Sequence, residues 1–220
     1  MLKINDYKTL LVFDFETTGL DSRNDEIIEI GAVKLANDGN GNFAEIDALD
    51  VLVKPSKPIV AKITEITGIT NEMLENEGVT QEEAFNRLSF LIEDDTLLIA
   101  YNIAFDLGFL ETLYRRHYNP SYEFTNDLLD VMAVYKDRHK FPHRLESAIA
   151  KYGVTIPNSH RASDDARATF AVLKALKVER DVIDKFINII GYNPNYPYRG
   201  PRPKHVRIIG HRGYGQIEKM

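Results

Sequence analysis

Three short acidic stretches stand far apart in this chain of 220 residues: Phe13-Asp14-Phe15-Glu16-Thr17-Thr18-Gly19, Tyr101-Asn102-Ile103-Ala104-Phe105-Asp106 and His160-Arg161-Ala162-Ser163-Asp164-Asp165. Asp14, Glu16, Asp106 and Asp165 offer four carboxylates, and His160 adds an imidazole. Hard divalent cations take oxygen ligands, and a pair of them can clamp the attacking and leaving oxygens of a phosphodiester. The set suits that chemistry. Each stretch alone has an ordinary reading. Asp14 and Glu16 could be the wet half of a strand, Asp106 and Asp165 acids that stabilise helix N-termini, and His160 an exposed loop residue. Those readings do not explain why all five sit at the ends of elements.

The positioning elements follow from hydrophobic period. Thr9 to Phe15 is apolar, β-branched and aromatic, and predicts a buried strand. Asp14 and Glu16 are two apart on it and share a face, with Phe13 and Phe15 on the other, toward the core. Glu26 to Leu35 predicts a second strand. The turn cluster at residues 37–42 then returns a third strand antiparallel, Phe43 to Val53, ended by Pro55 and Pro58. Thr80-Gln81-Glu82-Glu83 is a capping box that opens a helix carrying Ala84, Phe85, Leu88, Leu91 and Ile92. A short buried strand, Thr96 to Ala100, precedes an amphipathic helix, Phe105 to Arg116. A strand near Tyr122 to Asn126 follows, then helices near Asp127 to Lys136, Leu145 to Tyr152 (stopped by Gly153), Asp164 to Lys177, and Asp181 to Ile190 (capped by Gly191). The pattern predicts an α/β fold, a mixed sheet covered by helices. Asp164 and Asp165 diverge on their helix, so one can face the site while the other faces solvent.

Bulk properties are those of a globular chain with one good-sized core: 44% hydrophobic, 27% charged, and formally −6 at pH 7. Nothing resembles a membrane span or a secretory leader. Cysteine is absent, which excludes disulfides and thiolate metal sites, and a reducing, cytoplasmic setting is expected. Charge is unevenly placed. From Tyr192 onward there are six Lys or Arg and one acid, leaving the rest with 21 of the 27 basic and 32 of the 33 acidic residues. Tyr192, Tyr196 and Tyr198 with Arg199, Arg202, Lys204 and Arg207 could line a single-strand path by stacking and phosphate contact. The preferred expectation is that this extension packs on the body.

The three motifs together resemble the DEDD exonucleases, in the branch whose general base is histidine. These are DnaQ-like 3′–5′ exonucleases, the family of the proofreading epsilon subunit and of the PolC-type exonuclease domain of bacterial DNA polymerase III. Asp14 and Glu16 stand in the first motif, Asp106 in the second, and His160 and Asp165 in the third, with the four intervening residues of the histidine branch. The second motif usually reads His-Asn-x-x-Phe-Asp, and Tyr101 replaces its histidine. Thr67-Gly68-Ile69-Thr70 resembles a family loop near the substrate 3′ end.

The resemblance covers about residues 7–178, taken as an exonuclease domain, with 179–220 as a helix and extension on or near it. It implies an RNase H-like fold with a five-stranded mixed sheet flanked by helices, and two Mg²⁺ or Mn²⁺ ions. Asp14 would bridge the ions, Glu16 and Asp165 would complete one site, and Asp106 would hold the other. His160 would take the proton of the attacking water. Thr17, Thr18, Thr67 and Phe105 would contact the terminal nucleotide. The expected activity is 3′–5′ hydrolysis of single-stranded DNA to nucleoside 5′-monophosphates, in proofreading or repair, with a separate DNA polymerase as a possible partner. An RNA-trimming exoribonuclease of the same family and a non-catalytic nucleic-acid-binding module are the alternatives.

Overall fold

The structure, a computed structural model, describes residues 2–155 and 161–220. Its centre is β1 (Thr9–Thr17), a run of large apolar residues that must be covered on both sides. Leu11, Phe13 and Phe15 enter one core layer, and Leu10 and Val12 enter the other. β2 (Ile27–Asn37) and β3 (Phe43–Leu52) follow β1 as an antiparallel meander. β4 (Leu97–Ala100) and β5 (Leu128–Asp130) lie parallel on the other side of β1. The order β3-β2-β1-β4-β5 is the expected five-stranded mixed sheet.

Short helices α1 (Ala61–Thr67) and α2 (Asn71–Glu77) fill the span after β3 and were not foreseen in the sequence pattern. α1 ends at Gly68, whose φ of 72° is left-handed, and Thr70 caps α2. α3 (Gln81–Ser89) starts as predicted: the Thr80 hydroxyl accepts the Glu83 amide at 3.1 Å. α3 and α4 (Ile103–His117) cover the Phe13 face of the sheet. α5 (Val131–Arg138), α6 (Leu145–Tyr152) and α7 (Ala162–Glu179) cover the Val12 face.

Two expected elements are corrected. Tyr122 to Asn126 is not a strand, and the fifth strand is Leu128–Asp130. The aromatic alternation that mimics a strand serves a cluster instead: Tyr114 sits 4.7 Å from both Tyr122 and Phe124. Asn126 donates to the carbonyls of Glu93 and Thr96. Helix α5 therefore starts only at Val131, with Asp130 accepting the Ala133 amide.

The helix expected over Asp181 to Ile190 is also absent. Only a 3-10 turn forms, at Ile183–Phe186, before β6 (Ile189–Tyr192) pairs in parallel with β7 (Arg207–Gly210). The β-branched run around Ile187 to Ile190 favours extended chain over the helical period it imitates. Gly191 is consequently no helix cap. A Cβ there would lie 2.8 Å from the His211 ring, so the glycine admits that side chain.

The segment after Gly191 lies against the rest of the chain. Asn188 exchanges hydrogen bonds with Leu128 at 2.8 and 2.9 Å and covers the β5 edge. His211 and Asp137 are both buried and bonded at 2.9 Å. Asp137 also accepts the amides of Ile217 and Glu218. Tyr198 packs on the Phe13-side core, and Arg202 lies over its ring at 5.0 Å. Among the described residues no helix is long and apolar enough to cross a membrane.

Candidate active site

Asp14 and Glu16 continue the Leu10/Val12 face of β1 beyond the point where apolar cover ends. Asp106 is in the first turn of α4 and almost fully buried. It accepts the Phe15 amide at 3.2 Å, which fastens the start of α4 to β1 between the two β1 acids. Asp165 is in the first turn of α7. Oxygens of Asp14, Glu16 and Asp165 lie within 4.8 Å of one another. These three and Asp106 line a single open cavity of about 290 Å³ with Phe15, Tyr101, Asn102, Phe105, Arg144, Leu145 and Glu146. Asp164 is turned away, 3.9 Å from Arg167, as the helical divergence predicts.

Of the expected substrate contacts, Phe105 lines the cavity, its ring tilted against Phe109 at 5.1 Å. The threonine hydroxyls are engaged locally. Thr17 donates to the Gly19 carbonyl at 2.6 Å, and Thr18 bonds Asp25 and accepts the Glu26 amide. Thr67 donates to Ile63 and accepts from Ile69, and is not among the residues that line the cavity. His160 lies outside the described residues.

A second row of residues sets where α7 begins, and sequence reasoning missed it. Asp14 on β1 pairs with Gly31 on β2, which pairs with Asp50 on β3. At Gly31 the missing side chain makes room for backbone: a Cβ would lie 2.0 Å from the Ala162 carbonyl carbon and 2.1 Å from the Ser163 nitrogen. The start of α7 thus rests directly on the sheet beside Asp14. Glu29, fully buried opposite Glu16, accepts the Ala162 amide at 3.1 Å and pairs with Arg161 at 2.5 Å. Asp50 takes the other side of Arg161 at 2.9 Å and the Ser163 hydroxyl at 2.8 Å. The available signals were a glycine and an acid inside an otherwise apolar strand.

The electrostatics fit a cation. Burial, then Asp106, Glu16 and Asp165, push the Asp14 carboxyl well above its ordinary range. Burial, then Glu29 and Asp165, raise Glu16 to about 7. Burial raises Asp106 to about 8 against the opposing Phe15 amide, with Glu16 and Asp130 adding to the rise. Carboxylates this close resist joint ionisation unless positive charge stands among them. Their all-oxygen donor set is the one that Mg²⁺ and Mn²⁺ prefer, so the residues present fit such ions.

The sheet order and its flanking helices are those of the RNase H-like fold, with the acidic cavity at the end of β1. Over residues 11–173 the chain matches the exonuclease family model, RNase_T, and it belongs to that family, as a DnaQ-like 3′–5′ exonuclease. It is 37% identical over 204 residues to the PolC-type DNA polymerase III of Thermotoga maritima and 32% identical over 211 residues to that of Bacillus subtilis. These matches cover 91% and 92% of this chain, which spans only 14% of each relative. Among solved structures it shares its fold with E. coli exonuclease I in complex with a dT13 oligonucleotide, at TM-score 0.66 and 24% identity, over 77% of this chain and 41% of that one.

Proposed function

We propose that this chain hydrolyses single-stranded DNA from its 3′ end and releases nucleoside 5′-monophosphates, with Asp14, Glu16, Asp106 and Asp165 as ligands of two divalent cations. The observation that carries this reading is the convergence of four carboxylates from β1, α4 and α7 on one cavity. When bound, Mg²⁺ or Mn²⁺ would supply Lewis acidity at the scissile phosphate and neutralise the carboxylates that hold it.

The chain's own residues do the rest. The Phe15 amide and the Glu29–Arg161–Asp50 network keep Asp106 and Asp165 at fixed distances from β1. His160 accepts the proton of the attacking water, the imidazole being the side chain suited to taking up a proton near neutrality. Phe105 offers a flat apolar face to the terminal sugar or base. Thr17, Thr18 and Thr67 act through backbone groups, because their hydroxyls are committed.

Residues 7–178 form the catalytic unit in this reading, and 179–220 an extension that completes its edge. The PolC-type relatives support a replicative setting in the cytoplasm beside a polymerase, and the DNA-bound neighbour of the same fold supports a single-stranded DNA substrate. The test is a gel assay with 5′-labelled DNA and RNA oligonucleotides, in Mg²⁺ or EDTA, for wild type, Asp14→Ala and His160→Ala. A metal-dependent ladder shortening from the 3′ end, lost in Asp14→Ala, is expected, with DNA the faster substrate. A wild-type protein that degrades neither strand refutes the reading, and a His160→Ala protein with normal turnover refutes the base.

A further inference from the structure

Tyr101 and Arg144 have no place in the chemistry described above, yet both line the cavity. Tyr101 follows β4 directly and is 6% exposed. Its hydroxyl donates to two backbone carbonyls at 3.1 Å each, those of His143 and Arg144, more than 40 residues away in sequence. The Arg144 carbonyl also accepts the amides of Ser147 and Ala148, at 3.1 and 3.2 Å, where α6 begins. The Arg144 backbone is therefore held by three donors. The same Tyr101 carbonyl accepts the Met132 amide at 2.7 Å, and the next residue, Asn102, opens the helix that bears Asp106. One phenol ties the residue 143–145 turn to the element that carries a proposed metal ligand.

The side chain thus positioned is the only cation among the described residues of the cavity lining, whose charged members are otherwise Asp14, Glu16, Asp106, Glu146 and Asp165. Among the described residues Arg144 makes no ion pair, while Arg161 and Arg167 are both committed to acids. An arginine beside acids, pinned at its backbone and left free at its head, is placed for an anion that is brought to the site.

We propose that Arg144 binds the phosphate next to the scissile one, on its 5′ side, and that Tyr101 is the positioning residue for it. This rests on the exonuclease reading above. With the carboxylates neutralised by cations, the scissile phosphate is provided for and its neighbour is not. A guanidinium at the cavity rim grips two phosphate oxygens at once and carries no base preference. The contact sets how deep the strand is threaded.

The experiment compares dT13 with thymidine 5′-(p-nitrophenyl phosphate), which has one phosphate and lacks the neighbouring one. It uses wild type, Arg144→Ala, Arg144→Lys and Tyr101→Phe, and adds anisotropy of labelled dT13 in EDTA. For Arg144→Ala, the ratio of kcat/KM on dT13 to that on the small ester falls about tenfold or more, mostly through KM. Its log Kd for dT13 depends on log salt with a slope smaller by about 0.7, one phosphate contact on a single strand. Arg144→Lys recovers part of the loss, and Tyr101→Phe shifts the ratio in the same direction by less. An unchanged ratio and salt slope overturn the proposal, as does an equal loss on both substrates. A wild type without nuclease activity whose dT13 binding still weakens in Arg144→Ala refutes the enzyme reading and leaves the phosphate contact standing.

Discussion

Gly31→Ala separates backbone propensity from tertiary contact. A glycine inside a strand costs stability relative to alanine, and replacing it where the backbone is compatible stabilises by about 0.4–1 kcal/mol through the unfolded chain. Gly31 is not among the glycines with positive φ, so that gain is open to it. The surroundings reverse the sign. The new methyl would stand 2.0 to 2.3 Å from three backbone atoms of Ala162 and Ser163, and ordinary contact begins near 3.4 Å, so the start of α7 must retreat by about 1.4 Å. Backbone cannot rotate aside as a side chain can. Overpacking of this kind costs about 1–3 kcal/mol; less the entropic gain, that is a net loss of up to about 2.6 kcal/mol, which lowers the Tm by up to about 10 °C at this size. Asp165 moves with α7, and Glu29 loses its hold on the Ala162 amide. A misplacement near 1 Å in a catalytic group costs on the order of 100-fold in rate. The assay is kcat on dT13 in saturating Mn²⁺, with calorimetry on the same protein. A Gly31→Ala enzyme with wild-type kcat and an equal or higher Tm refutes the claim that α7 is seated through this glycine.

Glu29→Gln leaves the Arg161–Asp50 pair in place and removes the charge that holds the first amide of α7; kcat on dT13 should fall more than KM rises, and a pure KM effect contradicts the positioning role. Stability of the metal-free protein should fall as pH rises. Glu16 and Asp106 titrate at about 7 and about 8 in the fold, against about 4 in the unfolded chain. Between those values the folded state holds more protons, so stability is full below pH ~4 and is lost as pH climbs through 7 to 8. Calorimetry in EDTA from pH 5 to 8.5 measures this, and Mn²⁺ should raise the Tm more at pH 8 than at pH 5; a metal-free Tm that rises with pH refutes it. His211→Ala should cost about 1–3 kcal/mol, because it strips a buried carboxylate of a hydrogen-bond partner; Asp137, though buried, is held below the usual carboxylate range by His211 and by the amides of Glu218 and Ile217. Chemical denaturation measures that cost, and a loss under 1 kcal/mol would show the extension to be a loose attachment.

The centre of the sheet was legible because β1, β2 and β4 are buried on both faces and the run in β1 leaves no other use for Leu10 to Phe15. The turn at residues 37–42 and the cap at Thr80 are local chemistry and formed where local chemistry puts them. Tyr122 to Asn126 and Asp181 to Ile190 failed for one reason. Aromatic alternation and apolar spacing say that residues are buried, not what they are buried against. Rings packing at an angle on Tyr114 and a second strand supplied by Arg207 to Gly210 decided those segments from a distance.

The four acids and their order along the chain follow from sequence alone, since hard cations restrict ligands to oxygen and element ends restrict where acids can converge. Tertiary structure decided the distances between them. Whether Asp165 meets Asp14 depends on a glycine on the neighbouring strand β2, on a buried Glu29–Arg161 pair, and on an edge-strand aspartate that takes the far side of that arginine. Each is an interaction between elements, set by close approach and loss of water, and no window of neighbouring residues encodes it.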